Sequence, residues 1–162
     1  MNTYPIPLNE DDRLTHLKRF NLLNLSKDSD FDVISKSAAN FTHCPIALVS
    51  IMERDVQRIQ SCIGMEVDSV DRKQTICQYT LMSTDALVIE DTLLDERTAD
   101  NPIVNQAKIR FYAGVPIIDE DGFALGTLCV IDFVPKKIDQ SQIDFLYALA
   151  KNVSQLYTYK KL

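Results

Sequence analysis

No apolar run in the 162-residue sequence exceeds six residues, Phe145 to Ala150, whereas a membrane-spanning helix takes about 20. A transmembrane helix is therefore not expected. The opening Met1-Asn2-Thr3-Tyr4-Pro5 lacks the basic flank and apolar stretch of a secretory signal, which argues against export. Basic residues are in deficit: 17 Lys and Arg face 23 Asp and Glu, for a net charge of −6. Polyanion binders neutralise phosphates with a basic stripe. Here no basic cluster is longer than a pair, as at Lys136-Lys137 and Lys160-Lys161. Neither nucleic acid nor a membrane surface is an expected partner.

Metal-ligand spacing is also missing. No two of Cys44, Cys62, Cys77 and Cys129 stand two to four residues apart, and neither His16 nor His43 completes a ligand pattern, so no metal site is expected. Thiols without an export signal imply a cytoplasmic protein with reduced cysteines. There is no glycine-rich phosphate loop, nucleophile elbow or paired-histidine zinc motif. With both histidines on expected helices, no general base is in sight. The chain does not read as an enzyme, and it names no cofactor.

What is present is the organisation of one domain, residues 10–162, behind an unstructured lead-in, residues 1–9, that carries Pro5 and Pro7. Leu14, Leu17 and Leu22 pattern a helix over Glu10–Leu23. Phe31, Ile34, Ala38 and Phe41 pattern a second, with Ser29 and Asp32 as a capping-box-like pair. After Pro45, Ile46–Met52 and Val56–Cys62 read as a hairpin closed near Gly64. Residues 64–108 form an irregular insertion with a short helix at Ile76–Ser83, capped by Thr75, and a strand at Leu87–Glu90. Insertions this long are usually functional.

A second hairpin, Ile109–Ile118 and Phe123–Ile131, turns at Asp121-Gly122. Gly114 and Gly126 inside it mark a bulge or close approach, or the packing of a covering helix. The last helix starts at Asp139 with Gln142 completing a capping box. Its apolar arc of roughly 200° exceeds the ~100° that one sheet face needs. The excess calls for a second partner, either the first helix of the same chain or the equivalent helix of another subunit. Terminal helices around antiparallel hairpins define an α+β fold.

Several side chains within and beside the insertion are candidates for chemistry. Cys77 falls in the first turn of a helix, where a thiol pKa can drop; packing against the sheet is the plainer role. Arg110 and Tyr112 fall on one face of an expected central strand. A buried arginine there needs a carboxylate, which Asp91 or Asp95 can supply, latching the insertion to the sheet or lining a pocket.

Together these residues carry a resemblance. Phe31-Asp32, Pro45-Ile46-Ala47-Leu48-Val49-Ser50, Ile76-Cys77-Gln78-Tyr79, Asp91 to Asp95 with Arg97, Asn101-Pro102, Ile109 to Gly114 and Gly126 to Asp132 resemble, in order and spacing, a bacterial GAF domain. The branch is the one found beside histidine kinases and diguanylate cyclases. The resemblance implies a central antiparallel sheet with terminal helices on one face and the insertion over the other, a GAF/PAS-like plan. It also implies a sensory module that binds a small molecule beneath the insertion, pairs into a homodimer through its terminal helices, and acts on a signalling enzyme in trans. The implied pocket residues are Cys77, Tyr79, Asp91, Arg110 and Tyr112. Two alternatives remain: a ligand-free dimerisation scaffold filled by Ile76, Phe111 and Tyr112, and a free methionine sulfoxide reductase using Cys77 and Cys129. The family's cyclic-nucleotide, bilin and reductase motifs are not matched, and no histidine follows Cys77 at the family's position.

Overall fold

A computed structural model describes residues 4–20 and 29–160. The expected order of helix, helix, hairpin, insertion, hairpin and helix is found. α1 (Glu10–Arg19) begins with three acids and ends with basic residues, which suits the helix dipole. The expected extension to Leu23, with Leu22, lies outside the described residues. In the lead-in, residues 4–9 hold no helix or strand, and the Tyr4 ring lies 5.9 Å from the Arg72 guanidinium. α2 (Ser29–Thr42) buries Phe31, Ile34 and Ala38 while Phe41 stays 43% exposed. Asp32 accepts a hydrogen bond from the Ser61 hydroxyl.

β1 (Ile46–Met52) is buried at every position. It lies between two cores, so its sequence does not alternate. Ala47, Val49 and Ile51 enter one core; Ile46, Leu48 and Met52 enter the other. β2 (Val56–Ile63), β3 (Ser69–Asp71), β4 (Leu87–Ile89), β5 (Phe111–Ile118) and β6 (Ala124–Asp132) complete a six-stranded sheet in the order β3-β2-β1-β6-β5-β4. Every pairing is antiparallel.

One face carries α2 and α5 (Gln140–Lys160). The capping box of α5 is formed: Asp139 Oδ1 accepts from Gln142 N at 2.9 Å, and Gln142 Oε1 accepts from Asp139 N at 2.9 Å. The wide apolar arc finds its second partner within the chain, in α2 rather than in the expected first helix. Phe31 meets Tyr157 at 5.7 Å between ring centroids, and Phe41 meets Phe145 at 4.5 Å.

The insertion covers the opposite face and is more regular than expected. It contributes both edge strands, β3 and β4, two short 3-10 turns, and two helices. The expected helix at Ile76–Ser83 is the single turn α3 (Cys77–Thr80), where Gln78 N donates to the Thr75 hydroxyl at 3.1 Å. α4 (Pro102–Ala107) was not expected, although its start is legible: Asn101 accepts from Ile103 N and Val104 N, and proline opens the helix. One expectation is corrected. Arg110 precedes β5, and β5 is next to the edge strand β4, not central.

Candidate functional site

Period-two alternation sends Leu48 of β1, Tyr112 of β5 and Cys129 and Ile131 of β6 toward the insertion. There Ile76 and Cys77, at the start of α3, and Val104 of α4 close down on them. The closure is incomplete. A cavity of about 100 Å³ remains, its walls including Leu48, Ile59, Ile76, Val104, Ile109 and Ile131. Cys77, Tyr112 and Cys129 are among its most buried lining residues. Met65, Val67, Val70, Gln74 and Ile103 also line it and are exposed or half-buried, so the mouth lies along the β2–β3 connection and α4.

Gly114 explains how Tyr112 reaches the cavity. A Cβ at Gly114 would lie 2.3 Å from the Tyr112 hydroxyl, so the ring occupies the space left by the missing side chain. The hydroxyl donates to Cys77 Sγ at 3.2 Å and sits 2.7 Å from Thr80 Oγ1. Cys77 Sγ lies 3.9 Å from Cys129 Sγ. Beyond them Gln57 Nε2 donates to Ser50 Oγ at 2.7 Å, and Ser50 Oγ is 3.1 Å from Thr127 Oγ1. A buried polar belt thus runs beside the chamber, which it reaches through Gln57, Cys77, Tyr112 and Cys129.

The two thiols differ electrostatically. The Cys129 thiol hydrogen-bonds to Cys77 and, with Thr127, Tyr112 and Gln57, brings Cys77 down to about 6 against the push of burial. Cys129 is driven well above the usual thiol range by that same hydrogen bond and by burial. Burial, followed by the Cys77 charge, raises Tyr112. Within this pair the shifts run in opposite directions, Cys77 down and Cys129 up, with the Tyr112 hydroxyl donating to Cys77.

Of the five residues implied from the sequence, Cys77 and Tyr112 meet at the cavity. Tyr79, on α3, is half-buried and is not part of the lining. Asp91 and Arg110 pair with each other, also outside the lining: Arg110 Nη2 is 3.1 Å from both Asp91 oxygens, and its side chain is 33% exposed. The Leu93 N–H and then Arg110 hold the Asp91 carboxyl below its ordinary range. This pair fastens the segment after β4 to the chain entering β5. Replacing Arg110 by alanine should speed proteolysis within residues 90–110 while leaving Cys77 alkylation unchanged; cleavage no faster than wild type would mean the pair holds nothing. Thr80, Ser50, Gln57 and Thr127 were missed, although Ser50 and Thr127, polar residues inside apolar strands, are a readable signal.

One group among the described residues brings three ligand-type atoms within 4.8 Å of one another: His16, Asp119 and Asp121. Sequence spacing could not reveal it, because α1 meets the β5–β6 turn only in the fold. Asp119 Oδ1 accepts from Asp121 N and Phe123 N, while Oδ2 is 2.9 Å from His16 Nδ1. The group ties that turn to α1.

Comparison with known proteins agrees with this plan. The family profile of the GAF domain matches residues 28–156. The chain belongs to the GAF domain family. A cyclic di-GMP phosphodiesterase of Pseudomonas aeruginosa is 35% identical over 137 residues, covering 84% of this chain and 23% of that protein. The chain thus spans about a quarter of that relative. The GAF domain of an Acinetobacter phosphoenolpyruvate-protein phosphotransferase superposes with a TM-score of 0.66 at 15% identity, covering 91% and 94% of the two chains. A type II free methionine-R-sulfoxide reductase from Thermoplasma acidophilum gives 0.67 at 11%, covering 81% and 92%. At these identities the structural likenesses show the fold alone. Among the described residues no helix is long and apolar enough to cross a membrane. A GAF domain with a signalling relative belongs with sensory and regulatory modules.

Proposed function

We propose that this GAF domain is a sensory module of the cytoplasm whose ligand enters the cavity between the sheet and the 64–108 insertion. Its response passes through terminal helices paired in a homodimer to a signalling enzyme in trans. The observation that carries this reading is the chamber, mostly apolar and with polar groups in its lining, beneath α3 and α4. At about 100 Å³ it is well below the ~300 Å³ at which drug-sized sites begin, so it suits a molecule of a few heavy atoms. Ligand-binding residues in this reading are Cys77 and Tyr112; Tyr79, Asp91 and Arg110 shape the roof. The exposed groove between α2 and α5, lined by Val33, Leu156 and Tyr159 among others, supports helix pairing.

A thermal-shift screen of small molecules against wild type and Val104→Phe tests the reading. Val104 is buried in the cavity wall, and the larger ring fills the space. A ligand should raise the wild-type Tm in proportion to the logarithm of its concentration and leave the variant unmoved. Equal shifts in both proteins, or no shift from any compound, would leave the dimerisation scaffold as the better account. Sedimentation equilibrium checks the second part, and a monomer at all concentrations would remove helix pairing.

A further inference from the structure

We propose that Cys77 and Cys129 form a dithiol site, oxidised to a disulfide by a small hydroperoxide that enters through the cavity. This deepens the sensory reading and rests on it: the molecule sensed is an oxidant that reacts at the floor of the chamber. Three observations converge. The sulfurs are 3.9 Å apart, which is van der Waals contact and about 2 Å longer than a disulfide bond. Both line the cavity, and so does Tyr112, whose hydroxyl donates to Cys77 at 3.2 Å. The chamber is of a size for a peroxide and, for a reactive thiol, has the second thiol that resolution requires.

The chemistry balances without any other redox partner. The Cys77 thiolate attacks one peroxide oxygen and the O–O bond breaks, leaving Cys77 as a sulfenic acid. The departing alkoxide or hydroxide takes up the proton that Cys77 released on ionising. Cys129 then attacks the Cys77 sulfur, the S–O bond breaks, and water leaves with the Cys129 proton. Two thiols and one hydroperoxide become one disulfide, one alcohol or water, and one further water. The sulfurs lose two electrons and the peroxide gains them.

The fold singles out this pair. Cys62 of β2 and Cys129 of β6 both stand opposite Leu48 of β1, on either side of it. Two strand spacings separate their backbones by roughly 9–10 Å, beyond the ~7 Å limit for a bridge without backbone movement. The new bond would join α3, in the roof, to β6, at the centre of the sheet. Oxidation would therefore fix the roof against the layer that carries α5 on its other face.

The test is peptide mapping of the full chain after treatment with hydrogen peroxide, with free thiols blocked before digestion. The expected product is a single cross-link between the Cys77 and Cys129 peptides, reversed by dithiothreitol. Its rate of formation should climb as pH rises through about 6 and level off above. In Cys129→Ala, reaction should stop at a Cys77 sulfenic acid that dimedone traps when the protein is unfolded in its presence; in Cys77→Ala both products should be lost. The wild-type map stands even if a variant folds poorly. A wild-type pair that stays reduced while Cys44 or Cys62 oxidises would overturn the proposal, as would a cross-link that survives Cys77→Ala. A reversible ligand that shifts wild type but not Val104→Phe, found together with an inert thiol pair, would sink this inference and leave the sensory reading in place.

Discussion

Replacing Glu10 by glutamine is expected to remove about 3–5 kcal/mol of stability, the cost of leaving a buried charge without its partner. For a domain of this size that corresponds to a fall in Tm of roughly 6–20 °C. Glu10 bridges two arginines that are both fully buried: Oε1 meets Arg13 Nε at 2.6 Å and Oε2 meets Arg72 Nη1 at 2.5 Å. The guanidiniums also donate to strand-end carbonyls, Arg13 to Met52 and Ala124, and Arg72 to Glu53 and Arg54. Arg13 Nη2, Arg72 Nε and Arg72 Nη2 have no hydrogen-bond partner among the described residues. Losing the carboxylate would leave two cations with carbonyl dipoles and, for Arg72, the Tyr4 ring.

The pH dependence has a definite sign. Burial pushes the Glu10 carboxyl upward, but hydrogen bonds and charge from Arg13 and Arg72 outweigh it and hold it below its ordinary value. A depressed folded pKa means the contribution is complete above the unfolded carboxylate value near ~4.3. It is lost as pH falls through the lower folded value. Urea titrations of wild type should therefore have an acid limb that Glu10→Gln flattens. Converting Glu10, Arg13 and Arg72 together to apolar residues of similar volume should recover most of the loss, since such replacements are often neutral. A Glu10→Gln protein within about 1 kcal/mol of wild type would mean the arginines are served by something other than this carboxylate.

The clamp also says where reading the sequence failed. Arg110 was expected to be the buried arginine because it falls within the expected strand Ile109–Ile118, yet it lies outside β5 and is partly exposed. The buried ones are Arg13, on the polar-looking α1, and Arg72, in a stretch of mixed charge. Their shared partner is three residues from one and 62 from the other. No local pattern encodes such a contact. The elements were legible where a local rule governs them: the Asp139 box, the Gly122 turn at φ 90°, and the apolar blocks of β1 and β6. At the candidate site, Cys77 and Tyr112 were readable from period and position. Their meeting with Cys129 was not, because it depends on the β5–β6 register, which sets Gly114 beside Cys129 and lets the Tyr112 ring lie over Gly114.

The same clamp connects the site to the helices. Arg72 leads through one 3-10 turn into α3, so Glu10 fastens α1 to the segment that carries Cys77. Arg13 fastens α1 to the ends of β1 and β6, the strands that hold Leu48 and Cys129. A shift of α3 relative to β6 thus loads a bridge whose other end is a terminal helix. A ligand or oxidation event can shift the module only by favouring one arrangement of these parts over another.

Gly126→Ala is expected to be comparably damaging, by opening the centre of the sheet. Gly126 pairs with Ile51 across β6 and β1. A Cβ placed there would fall 1.9 Å from the Ser50 carbonyl oxygen and 2.8 Å from the Ile51 Cα. These obstacles are backbone atoms of a strand paired on both sides, so neither can swing aside as a side-chain tip would. At Gly114 the obstacle is the Tyr112 phenol, which can move; at Gly122 there is open space, and only the positive φ resists substitution. Relief at Gly126 requires β1 and β6 to part, which breaks the register that places Ser50 against Thr127 and Leu48 against Cys129. Overpacking a core commonly costs 1–3 kcal/mol, and a backbone obstacle puts this site at or above about 3. Tm should then drop by roughly 6–12 °C or more, with amide exchange accelerated at Ser50, Ile51 and Thr127 before it is elsewhere. If Gly126→Ala melts with wild type and Gly114→Ala does not, β1 and β6 are not in the close contact drawn here, and the cavity floor built on them would have to be redrawn.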